Sequence, residues 1–226
     1  MTNTLQTILD WSEVWSLFIP LIVLLIFPKQ PHILKPVIIY LWLALIINLT
    51  GNILGDYGKE LGLPSWLQRN TFLYNTHSIL RFACFSYFFL LLAQPFLTSL
   101  KKVVPFLSLL FVIINFTFFE PFNSENHLSG RLLATEAFLL LLYCLQYYLY
   151  KINQDVGLPK READFWVVTG LSMYVVINFF VFLFYVSMIS KDISFAEKMW
   201  DVHNIAYIIL NIFIAKAFYD TNRNPY

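Results

Sequence analysis

The chain has 226 residues, of which 58% are hydrophobic and 13% charged, and a formal net charge of +1. Soluble domains run near half apolar and a quarter charged, so this chain has too little polar surface to cover its apolar residues in water. The small charge, with no basic cluster, argues against nucleic acid as a partner.

The apolar residues fall in continuous blocks of about twenty, the length that crosses roughly 30 Å of hydrocarbon as a helix. A β-barrel would instead alternate in blocks of about ten. The expected fold is therefore an all-α integral membrane protein with seven transmembrane helices and no separate soluble domain.

The first span, 8–27, carries Glu13. No Lys or Arg occurs in the first eleven residues, so this run lacks the positive start of a cleavable signal and reads as a retained helix. After Pro28-Lys29-Gln30-Pro31 comes the second span, 36–55, with Asn48. The segment 64–68, with Trp66, is expected on the outer surface. The third span, 72–93, carries His77, Ser78, Arg81 and Cys84, and Lys101-Lys102 precede the fourth, 103–120. Beyond residues 121–130 the fifth span, 131–150, carries Glu136 and Cys144. The sixth, 165–188, holds Asn178, and the seventh, 199–219, holds Asp201, His203 and Asn204. The two cysteines show no CxxC spacing and read as buried free thiols. The 23 Phe and 13 Tyr read as packing and lipid-facing surface, with Trp11, Trp15, Trp66 and Trp200 in the outer aromatic belt.

Lys and Arg set the orientation. With the amino terminus outside, the cytoplasmic side holds Lys29, Lys35, Lys101, Lys102, Lys151, Lys160, Arg161, Lys216 and Arg223, and the outer side holds Lys59, Arg69, Arg131, Lys191 and Lys198. The excess predicts a cell (inner) membrane protein with its amino terminus out and carboxy terminus in.

An internal repeat runs through the chain. Ser12-Glu13-Val14-Trp15 in span one matches Thr135-Glu136-Ala137-Phe138 in span five. Ile46-Ile47-Asn48 in span two matches Val176-Ile177-Asn178 in span six. Tyr74-Asn75-Thr76-His77-Ser78-Ile79 in span three matches Trp200-Asp201-Val202-His203-Asn204-Ile205 in span seven. Equivalent helices are four apart, which predicts a 3+1+3 parallel repeat within one bundle: repeat one at about 8–93, a connector helix at 103–120, and repeat two at about 131–219.

Glu13, His77, Glu136 and His203 each lie roughly 9 Å inside the outer end of a span. Asn48, Asp56, Arg81, Asn115, Glu120, Asn178, Asp201 and Asn204 belong to the same half. Stripes form at Asn48, Asn52 and Asp56, at His77 and Arg81, and at Asp201 and Asn204. Ionisable groups in hydrocarbon face inward and pair, so Arg81 is expected against Glu136, Glu120 or Asp201. Asn48, Asn178, Ser78 and Asn211 taken singly would only tie helices together. The ensemble of Glu13, Asn48, Arg81, Glu136, Asn178, Asp201 and Asn204 reads as an outward-facing ligand cavity, in which His77 and His203 could hold a divalent metal such as zinc.

Neighbouring architectures were tested at their own residues. Lys216 lies about two turns too far toward the cytoplasmic end for the retinal lysine of a microbial rhodopsin, which argues against retinal. Length and repeat order resemble the SWEET-type sugar carriers, but Lys29 interrupts their Pro-Gln pair. The HxxxH pair of alkaline ceramidase-like hydrolases is broken by Tyr207. These comparisons give an architecture and no family.

The leading functional expectation is a receptor or sensor that binds a small molecule or ion in the outer cavity and signals through a membrane or cytoplasmic partner protein. A small-solute transporter is the second, with Thr169, Ser172, Gln146 and Asn211 as the inner-half hints of a path. A metal-dependent intramembrane hydrolase using His77, His203 and Glu13 or Glu136 is the third.

Overall fold

A computed structural model describes residues 4–64, 70–92, 94–123, 128–153, 162–189 and 191–223. The expected surface segment lies outside these from Ser65 on, as do Trp66, Arg69, Lys160 and Arg161.

The described residues are helical, with no strand among them. The elements are α1 (Thr4–Asp10), α2 (Ser12–Trp15), α3 (Phe18–Ile26), α4 (Lys35–Tyr57), α5 (Thr71–Leu91), α6 (Thr98–Ile114), α7 (Gly130–Asn153), α8 (Ala163–Ile189) and α9 (Ile193–Arg223). A 3₁₀ turn at His32–Leu34 leads into α4, and α6 widens into a π turn at Asn115–Phe119.

The first expected span is broken where its chemistry requires it. Pro20 has no N–H to offer the Ser16 carbonyl four residues back; that oxygen accepts from Ile19 N at 3.2 Å instead. Ser16 and Leu17 keep right-handed helical angles through the break. A different solution appears at Pro105 inside α6, which orphans the Lys101 carbonyl. The Tyr143 hydroxyl of α7 donates to that carbonyl at 3.1 Å.

Among the described residues five helices are long and apolar enough to cross a membrane: His32–Tyr57, Thr98–Phe119, Gly130–Asn153, Ala163–Tyr185 and Ile193–Thr221. The other two expected spans fall short for separate reasons. Ser12–Ile26 is apolar but short. The 21-residue α5 loses mean hydropathy to Asn75, His77, Ser78 and Arg81, all of which it buries.

Packing order follows from the neighbours. α1–α3 lie against α9, α2 touches α4, α4 packs on α5, α5 on α7, α7 on α8, and α8 on α9, which closes a ring. α6 lies outside it, over the seam of α5 and α7. The core between the helices is aromatic and aliphatic, with Tyr40, Phe85, Phe88, Tyr143, Leu171, Tyr174, Tyr207 and Phe218 sealed within it. The outward faces are also apolar: Leu25, Ile46, Phe106, Leu109, Ile152 and Phe180 are exposed. A surface of this kind is compatible with contact to lipid tails and not with water.

Candidate functional site

The breaks in α1–α3 set up the first part of the site. At these irregular turns, carbonyl groups are met by side chains from elsewhere. Trp15 Nε1 donates to Ile8 O at 2.8 Å, Asn204 Nδ2 to Leu9 O at 3.0 Å and Asn48 Nδ2 to Glu13 O at 3.0 Å. The last is free because Leu17 N turns to Val14 O. Asn48 and Asn204 thus hold α4 and α9 to the backbone of α1 and α2.

Those bonds position Glu13, which is 4% exposed. Its carboxylate takes the Tyr74 hydroxyl at 2.9 Å and lies 3.0 Å from His203 Nε2. The other ring nitrogen, Nδ1, is 2.5 Å from Asn178 Oδ1. Asn178 donates its Nδ2 to the Tyr174 carbonyl at 2.8 Å, and this orients its amide. An oxygen therefore faces Nδ1, and Nδ1 must carry hydrogen. Nε2 faces the Glu13 carboxyl, and a hydrogen bond between the two takes one shared proton, because a carboxylate and a bare nitrogen are both acceptors.

The second part is an ion pair. Arg81 grips Glu136 bidentately, Nε to Oε1 at 2.5 Å and Nη2 to Oε2 at 2.7 Å. Ser78 Oγ donates to Oε2 at 2.5 Å, and Arg81 Nη1 donates to the Tyr174 hydroxyl at 2.5 Å. Both charged residues are 4% exposed. Burial of this kind is tolerated only with such complete pairing. Tyr174 joins the two parts, its carbonyl holding Asn178 and its hydroxyl holding Arg81.

Between the two parts lies a cavity lined by Glu13, Tyr74, His77, Arg81, Phe182, Trp200 and His203, with Leu133 at its edge. Its volume is about 10 Å³, room for about one water. His77 stacks flat on Tyr40 with ring centroids 5.8 Å apart, and its Nε2 is buried without a hydrogen-bond partner. Trp200 covers the cavity, in ring contact with His203, Tyr74, Phe182 and Tyr185. The polar pocket expected from the sequence is small here, because aromatic side chains fill much of its space.

The structure thus brings Glu13, His77, Arg81 and His203 to one cavity, with Glu136 and Asn178 directly behind. Asp201 does not belong to it: its carboxylate accepts from Gln6 at 3.0 Å on the α1 side. Asp56 is exposed. Asn115 and Glu120 form another cluster with Ser129, reached by Arg131 at 3.8 Å. Among the described residues no three or more His, Cys, Asp or Glu lie where they could hold a metal ion. His203 spends both ring nitrogens on Asn178 and Glu13, whereas Nε2 of His77 has no partner. Cys84 and Cys144 are free thiols.

Sequence reasoning missed the tyrosines. Tyr74, Tyr174 and Tyr207 supply hydroxyls to the network, and Tyr207 Oη lies 3.2 Å from Tyr40 Oη. A signal existed in the helical spacing, since Tyr207 is four residues past His203, Tyr174 four before Asn178, and Tyr74 three before His77.

The chain matches no protein-family model, no curated protein and no solved structure.

Proposed function

We propose that this chain is a seven-span membrane receptor or sensor, amino terminus outside and carboxy terminus cytoplasmic, that binds a small ligand or ion at the Glu13–His203 cavity in its outer half. The observation that carries the reading is the 3.0 Å contact between Glu13 and His203 Nε2, on the wall of a one-water cavity that the unpartnered Nε2 of His77 also lines. Helix glue has no need of an orphaned, buried ring nitrogen beside a proton-holding pair. The cavity as it stands has room for an ion or a water. A larger ligand enters by displacing Trp200, and that movement is the signal passed to a partner protein.

The seven-span count rests on length and pairing. Residues 4–26 would cover about 34 Å as one helix, though the chain departs from helical angles at Trp11, and α5 covers about 31 Å at 1.5 Å per residue. Arg81 and Ser78 of α5 are paired with Glu136 inside the bundle, which removes most of the cost of placing the charge there. The 3+1+3 repeat is supported by the ring order: exchanging α1–α3 with α7, α4 with α8, and α5 with α9 maps every neighbour pair onto another neighbour pair and leaves α6 as the outlier. The charged contacts obey the same exchange. Glu13 of the first span meets the seventh at His203, and Glu136 of the fifth meets the third at Ser78 and Arg81.

A transporter is the second reading, favoured by one observation. His203, Tyr207 and Asn211 form a stripe at four-residue spacing on α9, continued by the Tyr40–Tyr207 contact and by Asn211 donating to Ser16 at 2.9 Å. This polar stripe leads about 12 Å inward from the cavity.

Thermal unfolding of the purified protein against a metabolite panel tests the first reading. A ligand is expected to raise the midpoint of the wild type and to leave His77→Ala and His203→Ala unmoved, with both variants still inserted. If the two variants instead keep every ligand response, the cavity is not the site. Uptake into loaded vesicles that is abolished by Asn211→Leu would favour the transporter.

A further inference from the structure

At the opposite end of the bundle a second pocket, of about 420 Å³, lies between the end of α5 and the start of α6. It is lined by Leu90, Leu92, Gln94 and Thr98, with Lys101 and Lys102 on one wall and Pro95 at the rim. The segment between the helices is pinned from α7, where Gln146 Nε2 donates to Phe96 O at 2.6 Å and Tyr143 to Lys101 O. The pocket is therefore a built feature of the fold.

Its charge is uncompensated. Lys101 is 5% exposed, and among the described residues its ammonium has one partner, the Leu92 carbonyl at 2.7 Å. Other lysines at this end have carboxylates: Lys151 meets Glu162 at 2.7 Å and Lys216 meets Asp220 at 2.6 Å. An ammonium donates three hydrogen bonds, and a buried one without a counter-charge is costly. Beside it, Gln94 is 7% exposed with its Oε1 unpartnered; the two ends of a carboxamide exchange by a half-turn, so the same group can offer N–H. α6 begins at this point without a side-chain cap.

We propose that this pocket binds the phosphate headgroup of an anionic phospholipid. The two lysines lack a counter-charge, and among the described residues no carboxylate lines the pocket. A lipid is favoured over a free anion by what adjoins the lysines. Above exposed Lys102, the residues Phe106, Leu109 and Ile113 form an exposed apolar stripe along α6, the track that an acyl chain follows when its phosphate sits on Lys101 and Lys102. The site is independent of the outer cavity.

The test uses the full-length protein in a neutral detergent, titrated with phosphatidylglycerol, with phosphatidylcholine or with inorganic phosphate, and read by native mass spectrometry and by thermal unfolding. One phosphatidylglycerol is expected to be retained per chain and to raise the unfolding midpoint, with phosphatidylcholine doing neither. Lys102→Gln should lower retention about fivefold, and Lys101→Met further. Where Lys101→Met fails to fold, Gln94→Leu takes its place in the comparison. Equal retention of the two lipids, or phosphatidylglycerol retention unchanged in Lys102→Gln, overturns the proposal. Inorganic phosphate alone reproducing the full shift would overturn the lipid assignment.

Discussion

Among single residues, the ones with the most at stake are Arg81 and Glu136, because neither can lose its partner without leaving a charge buried in an apolar core. Arg81→Met or Glu136→Leu alone is expected to cost about 3–5 kcal/mol. The double variant should recover most of that loss, since it buries no unpaired charge; unfolding in detergent measures all three. The proton between Glu13 and His203 makes a separate prediction. In the wild type, nitrogen NMR of His203 should show hydrogen on Nδ1 and a proton shared at Nε2. Glu13→Gln should remove the shared proton and keep the Nδ1 hydrogen, because Asn178 still faces it. An unchanged Nε2 signal in that variant would mean that Glu13 does not hold the proton. Spacing and depth made Glu13, His77, Arg81, Glu136 and His203 legible in the sequence. The tyrosines were not, because in a chain with 13 Tyr and 23 Phe an aromatic residue carries little information until its hydroxyl is seen against a partner.

Helices meet closely where a small residue allows it, and Gly170 on α8 is such a place. A Cβ added there would lie 2.5 Å from Phe213 Cβ and 3.4 Å from the Leu210 carbonyl of α9. Gly170→Ala is expected to cost about 1–3 kcal/mol by forcing α8 away from α9. Because the contact is to Cβ, shortening the neighbour with Phe213→Ala should not rescue it. Rescue in thermal unfolding would show that the ring, and not the backbone approach, sets the spacing. Tyr143→Phe tests the other device on this scale. It leaves the Lys101 carbonyl above Pro105 without its donor, for an expected loss of about 1–3 kcal/mol. Prolines mark their own disruption in a sequence, but which side chain repairs it depends on the neighbouring helix.

For the whole molecule the prediction is topology. A carboxy-terminal fluorescent reporter is expected to be active in the cytoplasm, following the Lys and Arg excess at that end. Activity of a reporter that works only outside would reverse the orientation and place the cavity on the cytoplasmic face. Among the described residues five helices satisfy the length and hydropathy of a span on their own, while Ser12–Ile26 is too short and α5 too polar. These two carry Glu13, His77 and Arg81, so the segments that fall short as spans contribute three residues of the site.

Composition and block length by themselves determined the class of this protein: apolar runs of span length leave helices in lipid as the arrangement that satisfies the backbone. Periodicity also set Glu13, His77, Arg81, Glu136 and His203 on inward faces, where exposure to hydrocarbon is avoided, but it grouped Asp56 and Asp201 with them, and these lie outside the cavity. Only the tertiary structure decided who meets whom. Glu13 and His203 are 190 residues apart, and Arg81 and Glu136 are 55 apart. Their meeting depends on the order and rotation of helices in the ring, which hydropathy along one helix does not encode. The size of the cavity was decided there too, since aromatic rings of α8 and α9 pack on His203, and Tyr74 of α5 packs on Trp200, filling space that the sequence pattern left open.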